Sequence, residues 1–108
     1  MKQSYIRLLN LMNGTNDLGV DLTAKKLLEI IAVSHANGSP LTVTAAMELT
    51  GIASPATIHR KLNQLLEADL ISQEFEGKNR RTKFLVPTSR ADQHFEEIGK
   101  FIQSASAI

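Results

Sequence analysis

From Ser54 to Asn63 the chain reads Ser-Pro-Ala-Thr-Ile-His-Arg-Lys-Leu-Asn, and its hydrogen-bonding and water-avoiding side chains recur with a helical period. Ser54 before Pro55 is a strong start signal. A serine oxygen accepts free amide hydrogens of a first turn, and proline at the first helical position lacks only an N–H that has no partner there. On a helix running to about Ala68, with about 100° between residues, Ile58, Leu62, Leu65 and Leu66 fall within about 100° of one another. Ala56, Arg60 and Asn63 fall on the opposite side, with Thr57 and Gln64 flanking them and His59 at the edge. Arg and Asn can each make two parallel hydrogen bonds to a base edge, and a small Ala permits close approach. Ser54, Thr57 and the first-turn amides suit a phosphate. Glu67 shares this face near the far end, where it would repel phosphate, so the N-terminal half is the part suited to enter a groove.

A second cluster lies at Gly77-Lys78-Asn79-Arg80-Arg81-Thr82-Lys83, and no acid occurs between Gly77 and Arg90. The net charge of +1 conceals an uneven distribution. Residues 54–90 hold seven Lys and Arg against four Asp and Glu, an excess of three, whereas residues 1–53 hold four of each. Positive charge concentrated in one segment attracts phosphate locally without making the chain a general polycation. Lys78, Arg80, Arg81 and Lys83 are therefore candidates to lie along a nucleic-acid backbone or to enter a narrow minor groove.

Other chemistries find little support. The chain has no cysteine, which excludes disulfides, thiolate metal sites and cysteine nucleophiles. His35, His59 and His94 are far apart and lack partners at ligand spacing, so no metal or cofactor is expected. No Gly-rich phosphate loop, nucleophile elbow or metalloprotease motif occurs, and no enzyme is expected. Apolar runs are broken by Lys25, Lys26 and Glu29, and the first seven residues lack the pattern of a signal peptide. The expectation is a cytoplasmic protein without a membrane partner.

The elements that would carry these residues follow from pattern. Tyr5, Ile6, Leu8, Leu9, Leu11 and Met12 predict a first helix, ended by the loop-forming Asn13-Gly14-Thr15-Asn16-Asp17. Asp21 or Thr23 caps a second, with Ala24, Leu27, Leu28 and Ile31 on one face, which stops before Asn37-Gly38-Ser39-Pro40. Thr42 or Thr44 caps a short third helix reaching toward Gly51, and Ser54 opens the fourth. Leu70, Ile71 and Phe75, then Phe84, Leu85 and Val86, predict two strands around the basic turn. Thr88 or Ser89 caps a last helix carrying Phe95, Ile98, Phe101 and Ile102. With 108 residues, one domain over 1–108 is expected. Two helices across a tight turn, followed by a hairpin, predict a mainly α chain with a small β-hairpin, a winged helix-turn-helix.

Ser54-Pro55-Ala56-Thr57-Ile58-His59-Arg60 leading into Leu65-Leu66-Glu67-Ala68-Asp69-Leu70-Ile71 resembles the recognition helix of MarR-type winged-helix transcription regulators. Gly77–Lys83 resembles their wing, and Val86-Pro87-Thr88 the start of their next helix. The resemblance covers roughly residues 22–98, with Asp69 standing where the family usually has Gly and Asn79 where it often has Asp. It implies that Ser54, Pro55, Ala56, Thr57, His59 and Arg60 contact DNA and that Arg80 or Arg81 is the wing arginine. The expected function is a double-stranded DNA-binding regulator, a repressor acting as a homodimer through its terminal helices; nothing in the sequence specifies a small-molecule effector. The alternative is a winged helix serving protein–protein interaction without DNA, which salt dependence of binding distinguishes.

Overall fold

The computed structural model describes residues 1–12 and 18–106, so the loop expected at 13–17 lies outside the described residues. The elements are α1 (Lys2–Met12), α2 (Leu22–Ala36), α3 (Val43–Met47), α4 (Pro55–Glu67), β1 (Ile71–Phe75), β2 (Lys83–Pro87) and α5 (Ser89–Ser106). The order is the one the sequence predicts, and the fold is a winged helix-turn-helix.

Local chemistry decides the helix ends. Where two caps were open, the earlier residue takes each: the Asp21 carboxylate accepts from the Ala24 amide, Thr42 Oγ1 from Ala45 and Thr88 Oγ1 from Ala91. Ser54 caps α4 by accepting from Thr57 at 3.3 Å, with Pro55 at the first helical position. Helix α3 is shorter than expected, and Gly51 beyond it does not adopt positive φ.

Helices α2 and α4 close with the same pair of crossed hydrogen bonds. After α2, Gly38 (φ 80) donates to His35 and Ser39 donates to Ser34. After α4, Asp69 (φ 58) donates to Leu66 and Leu70 donates to Leu65. This closure needs a left-handed residue, a conformation costly for a side chain with a Cβ and natural for glycine. Asp69→Gly should therefore stabilise the chain by about 0.5–1 kcal/mol after the entropy of the freer unfolded backbone is subtracted. Thermal unfolding should register a rise of a few degrees; a fall would refute the strain at this position.

Helix α2 lies at the centre, packed on α4 and β2. Leu27, Leu28 and Ile31 of α2 meet Ala46 of α3, Ile58, Leu62 and Leu65 of α4, and Leu70, Ile71 and Leu85 in one buried cluster. In the hairpin Ile71 stands opposite Pro87, and Phe75 opposite Lys83. Its inner half is fixed in the core, and the Leu85 amide donates to the Leu41 carbonyl at 2.7 Å, clamping β2 to the chain before α3. Beyond Ser72 every residue of β1 is exposed, so the outer half projects as a wing.

Helix α5 is fastened to the end of α4. Thr88 Oγ1 donates to the Asp69 carbonyl at 2.6 Å, and the Thr88 amide donates to Leu70. Arg90 donates to the carbonyls of Ala68 and Leu18. Farther along, α5 packs against α1. This layer is thinly buried: α1 has no buried residue, and in α5 the buried positions are Ala91 and Ala105 rather than the larger apolar side chains.

Candidate nucleic-acid interface

Helix α4 has two faces of opposite character. Ile58 and Leu65 are wholly inaccessible and Leu62 nearly so, while Ser54, Pro55, Ala56, His59, Arg60 and Asn63 are exposed and Thr57 is half-buried. Leu66, expected in the apolar stripe, is only half-buried, since it lies at the margin of that stripe. Among the described residues none covers Arg60 or Asn63, and both are open to solvent.

Three of the candidate side chains form one row. Ser54 Oγ donates to Thr57 Oγ1 at 3.0 Å, and Arg60 Nη2 donates to the same Thr57 oxygen at 3.3 Å. Positions three apart lie one above another on a helix, so the row follows directly from the Ser54, Thr57, Arg60 spacing. It draws the guanidinium toward the N-terminal end of α4, where first-turn amides also point outward.

Lys61, which neighbours Arg60 in sequence, is engaged differently. Its ammonium donates to Asp21 Oδ2 at 2.5 Å, pinning α4 to the start of α2, while Oδ1 of the same carboxylate caps α2. The hydrogen bond from Lys61, followed by that from the Ala24 amide, holds the Asp21 carboxyl below its ordinary value. Any stability this group contributes is complete above the ordinary carboxylate pKa and is lost as pH falls through the lowered one. Asp21→Asn should flatten the acid limb of stability against pH in urea unfolding; an unchanged limb would reject the linkage.

The wing carries Lys78, Arg80, Arg81 and Lys83, all exposed. Gly77 enters the turn at φ 59, the Asn79 amide donates to the Glu76 carbonyl, and Asn79 Oδ1 accepts from the Arg81 amide at 2.9 Å. Asn79 therefore braces the backbone of the turn. Among the described residues no hydrogen bond or ion pair joins these four cations to α4, so helix and wing offer two separate contact surfaces.

Phe75 is not among the site residues that the sequence predicts. The sequence predicts it as a strand residue, and it lies past the core with 38% of its surface exposed. The Arg80 guanidinium sits 5.5 Å and the Lys83 ammonium 5.6 Å from its ring centroid. The available signal was an aromatic residue at the outer end of a strand leading into a basic turn.

A cavity of about 470 Å³ opens between α1, α2 and α5, with Leu18, Leu28 and Phe95 as apolar lining and Lys25, Glu29 and His94 as polar lining. Among the described residues no three of His, Asp and Glu converge as metal ligands, and no helix is long and apolar enough to cross a membrane.

No protein-family model matches the chain, and no curated protein matches it. Solved structures do. MepR of Staphylococcus aureus, solved bound to ethidium bromide, superposes with a TM-score of 0.70 at 12% identity over 95% of this chain and 69% of its own. A MarR-like transcriptional regulator from Thermotoga maritima gives 0.67 at 16% identity, over 96% and 73%. The RV1404 protein of Mycobacterium tuberculosis gives 0.61 at 17% identity over 95% of this chain; the chain spans 63% of that protein's length. The similarity is one of fold, and it is the winged helix-turn-helix of MarR-type regulators.

Proposed function

We propose that this chain is a sequence-specific double-stranded DNA-binding transcription regulator, acting as a homodimeric repressor. The observation that carries the reading is the two-faced α4: a sealed apolar stripe on one side, and Ala56, His59, Arg60 and Asn63 open on the other. In this reading Arg60 and Asn63 read base edges in the major groove. Ala56 and His59 lie against the groove, Ser54, Pro55 and Thr57 meet phosphate at the helix entrance, and Lys78, Arg80, Arg81 and Lys83 follow the backbone or the minor groove.

The homodimer is supported by the α1 and α5 layer. Tyr5, Ile6, Leu9 and Ile102 are large apolar side chains left in contact with water, with Tyr5 60% exposed. A second copy joined there by a two-fold axis would present two recognition helices to successive major grooves. Occupancy of a promoter by such a dimer is enough to exclude a polymerase, so repression requires no further surface. The whole fits one domain over 1–108, working in the cytoplasm without a catalytic role. MepR carries ethidium in its structure; in this chain the cavity between α1, α2 and α5 has room for a small-molecule effector.

The test is selection of bound fragments from a random duplex pool, with the complex sized by light scattering. Enrichment of a two-fold symmetric motif, half-sites about one helical turn apart, is expected. Binding should weaken steeply with salt. No enrichment, or binding indifferent to salt, would favour a protein-interaction role instead; a monomer at micromolar concentration would reject the dimer.

A further inference from the structure

We propose that Phe75 is a positioning residue of the wing, whose ring gathers Arg80 and Lys83 so that both meet a DNA phosphodiester backbone at the groove between the wing and the start of α3. The proposal rests on the DNA-binding reading and deepens it. Phe75 is 38% exposed and stands outside the core cluster, so core packing alone does not account for an aromatic at this position. Two cations lie against its ring: Arg80 is 5.5 Å and Lys83 5.6 Å from its centroid.

Two cations around one ring repel each other, and on a projecting hairpin they would swing apart into solvent. The negative face of an aromatic ring offsets that repulsion and attracts each cation. The backbone prepares both arrivals. The strand register sets Lys83 directly opposite Phe75, and the turn braced by Gly77 and Asn79 returns Arg80 over the same ring. Phe75, Arg80 and Lys83 line a groove of about 520 Å³ with Gln73 and the hydroxyl-bearing Thr42 and Thr44. Paired cations beside hydroxyl donors suit a phosphodiester, and a ring that holds those cations in place reduces the ordering that binding must supply.

The experiment uses the full chain and a duplex enriched by the selection described above. Phe75→Leu should bind about 3- to 10-fold more weakly than the parent, from the strength of exposed cation–π contacts. Phe75→Trp should restore binding to within about twofold, since the larger ring attracts cations at least as well. In an Arg80→Ala, Lys83→Ala background, Phe75→Leu should cost nothing further. In the free protein, the Arg80 Hδ and Lys83 Hε resonances should be shifted upfield by the ring and should return in Phe75→Leu.

Equal binding by Phe75→Leu and the parent would overturn the proposal, as would equal losses in the Leu and Trp variants. Ring shifts in a parent chain that binds no duplex would remove the DNA reading and the proposal with it. That outcome differs from intact DNA binding that is insensitive to Phe75.

Discussion

Replacing Leu65 with Ala is expected to lower the free energy of unfolding by about 2–5 kcal/mol. Leu65 is wholly inaccessible, packed among residues of α2, α4 and both strands, so the truncation removes dispersion contacts and leaves a void the surroundings only partly fill. Small domains are stable by about 5–15 kcal/mol, and so a mid-range loss is roughly a third of a typical total. The melting temperature should fall by about 10 °C or more, from the scale of about 4–8 °C per kcal/mol in domains of this size. Urea unfolding followed by circular dichroism measures it. A cost below about 1 kcal/mol would mean that α4 is not anchored by this stripe.

Arg60→Ala on the other face of the same helix should do the reverse. Stability should stay within about 0.5 kcal/mol, because the side chain is exposed and its internal partner is a single Thr57 hydroxyl. Discrimination between the selected duplex and one altered at a single base pair should shrink by about 1–3 kcal/mol, a factor of roughly 5 to 150. Competition binding with cognate and altered duplexes supplies the number. If both duplexes lost affinity equally, Arg60 would be a phosphate contact and not a reader of sequence. The pair of substitutions tests the two-faced helix from both sides.

What was legible in the sequence is what is local. Ser54, Asp21 and Thr42 cap helices because their oxygens reach an amide three residues on, and that reach is written in the spacing. The buried stripe of α4 follows from one helical period, and the exposed Arg60 and Asn63 follow with it. Asp69 also carried a signal: an acid where a glycine is usual, here held at positive φ.

Contacts between distant segments were not legible. Asp21 and Lys61 are forty positions apart, and each reads equally well as a solvated surface charge. Phe75 has the residue type of a core strand position, and only the depth of the hairpin places it beyond the core. The same holds for the α1 and α5 layer. Periodicity announces apolar faces there, but it does not say that Ala91 and Ala105 are sealed while Ile102 stays half in water.

The fastening of Thr88 and Arg90 to the tail of α4 has a mechanical consequence. That attachment couples the C-terminal end of α4 to α5, while Ile58, Leu62 and Lys61 tie the rest of α4, a rod about 20 Å long, to the core. A change of about 10° in the pitch of α5 that tilted α4 together with this core would carry the N-terminal end of α4 through roughly 3–4 Å, comparable to the rise of one base pair. In a two-fold assembly the tips of both rods would shift together. The separation of the half-sites such an assembly accepts would then be set by the lean of the helices farthest from the duplex.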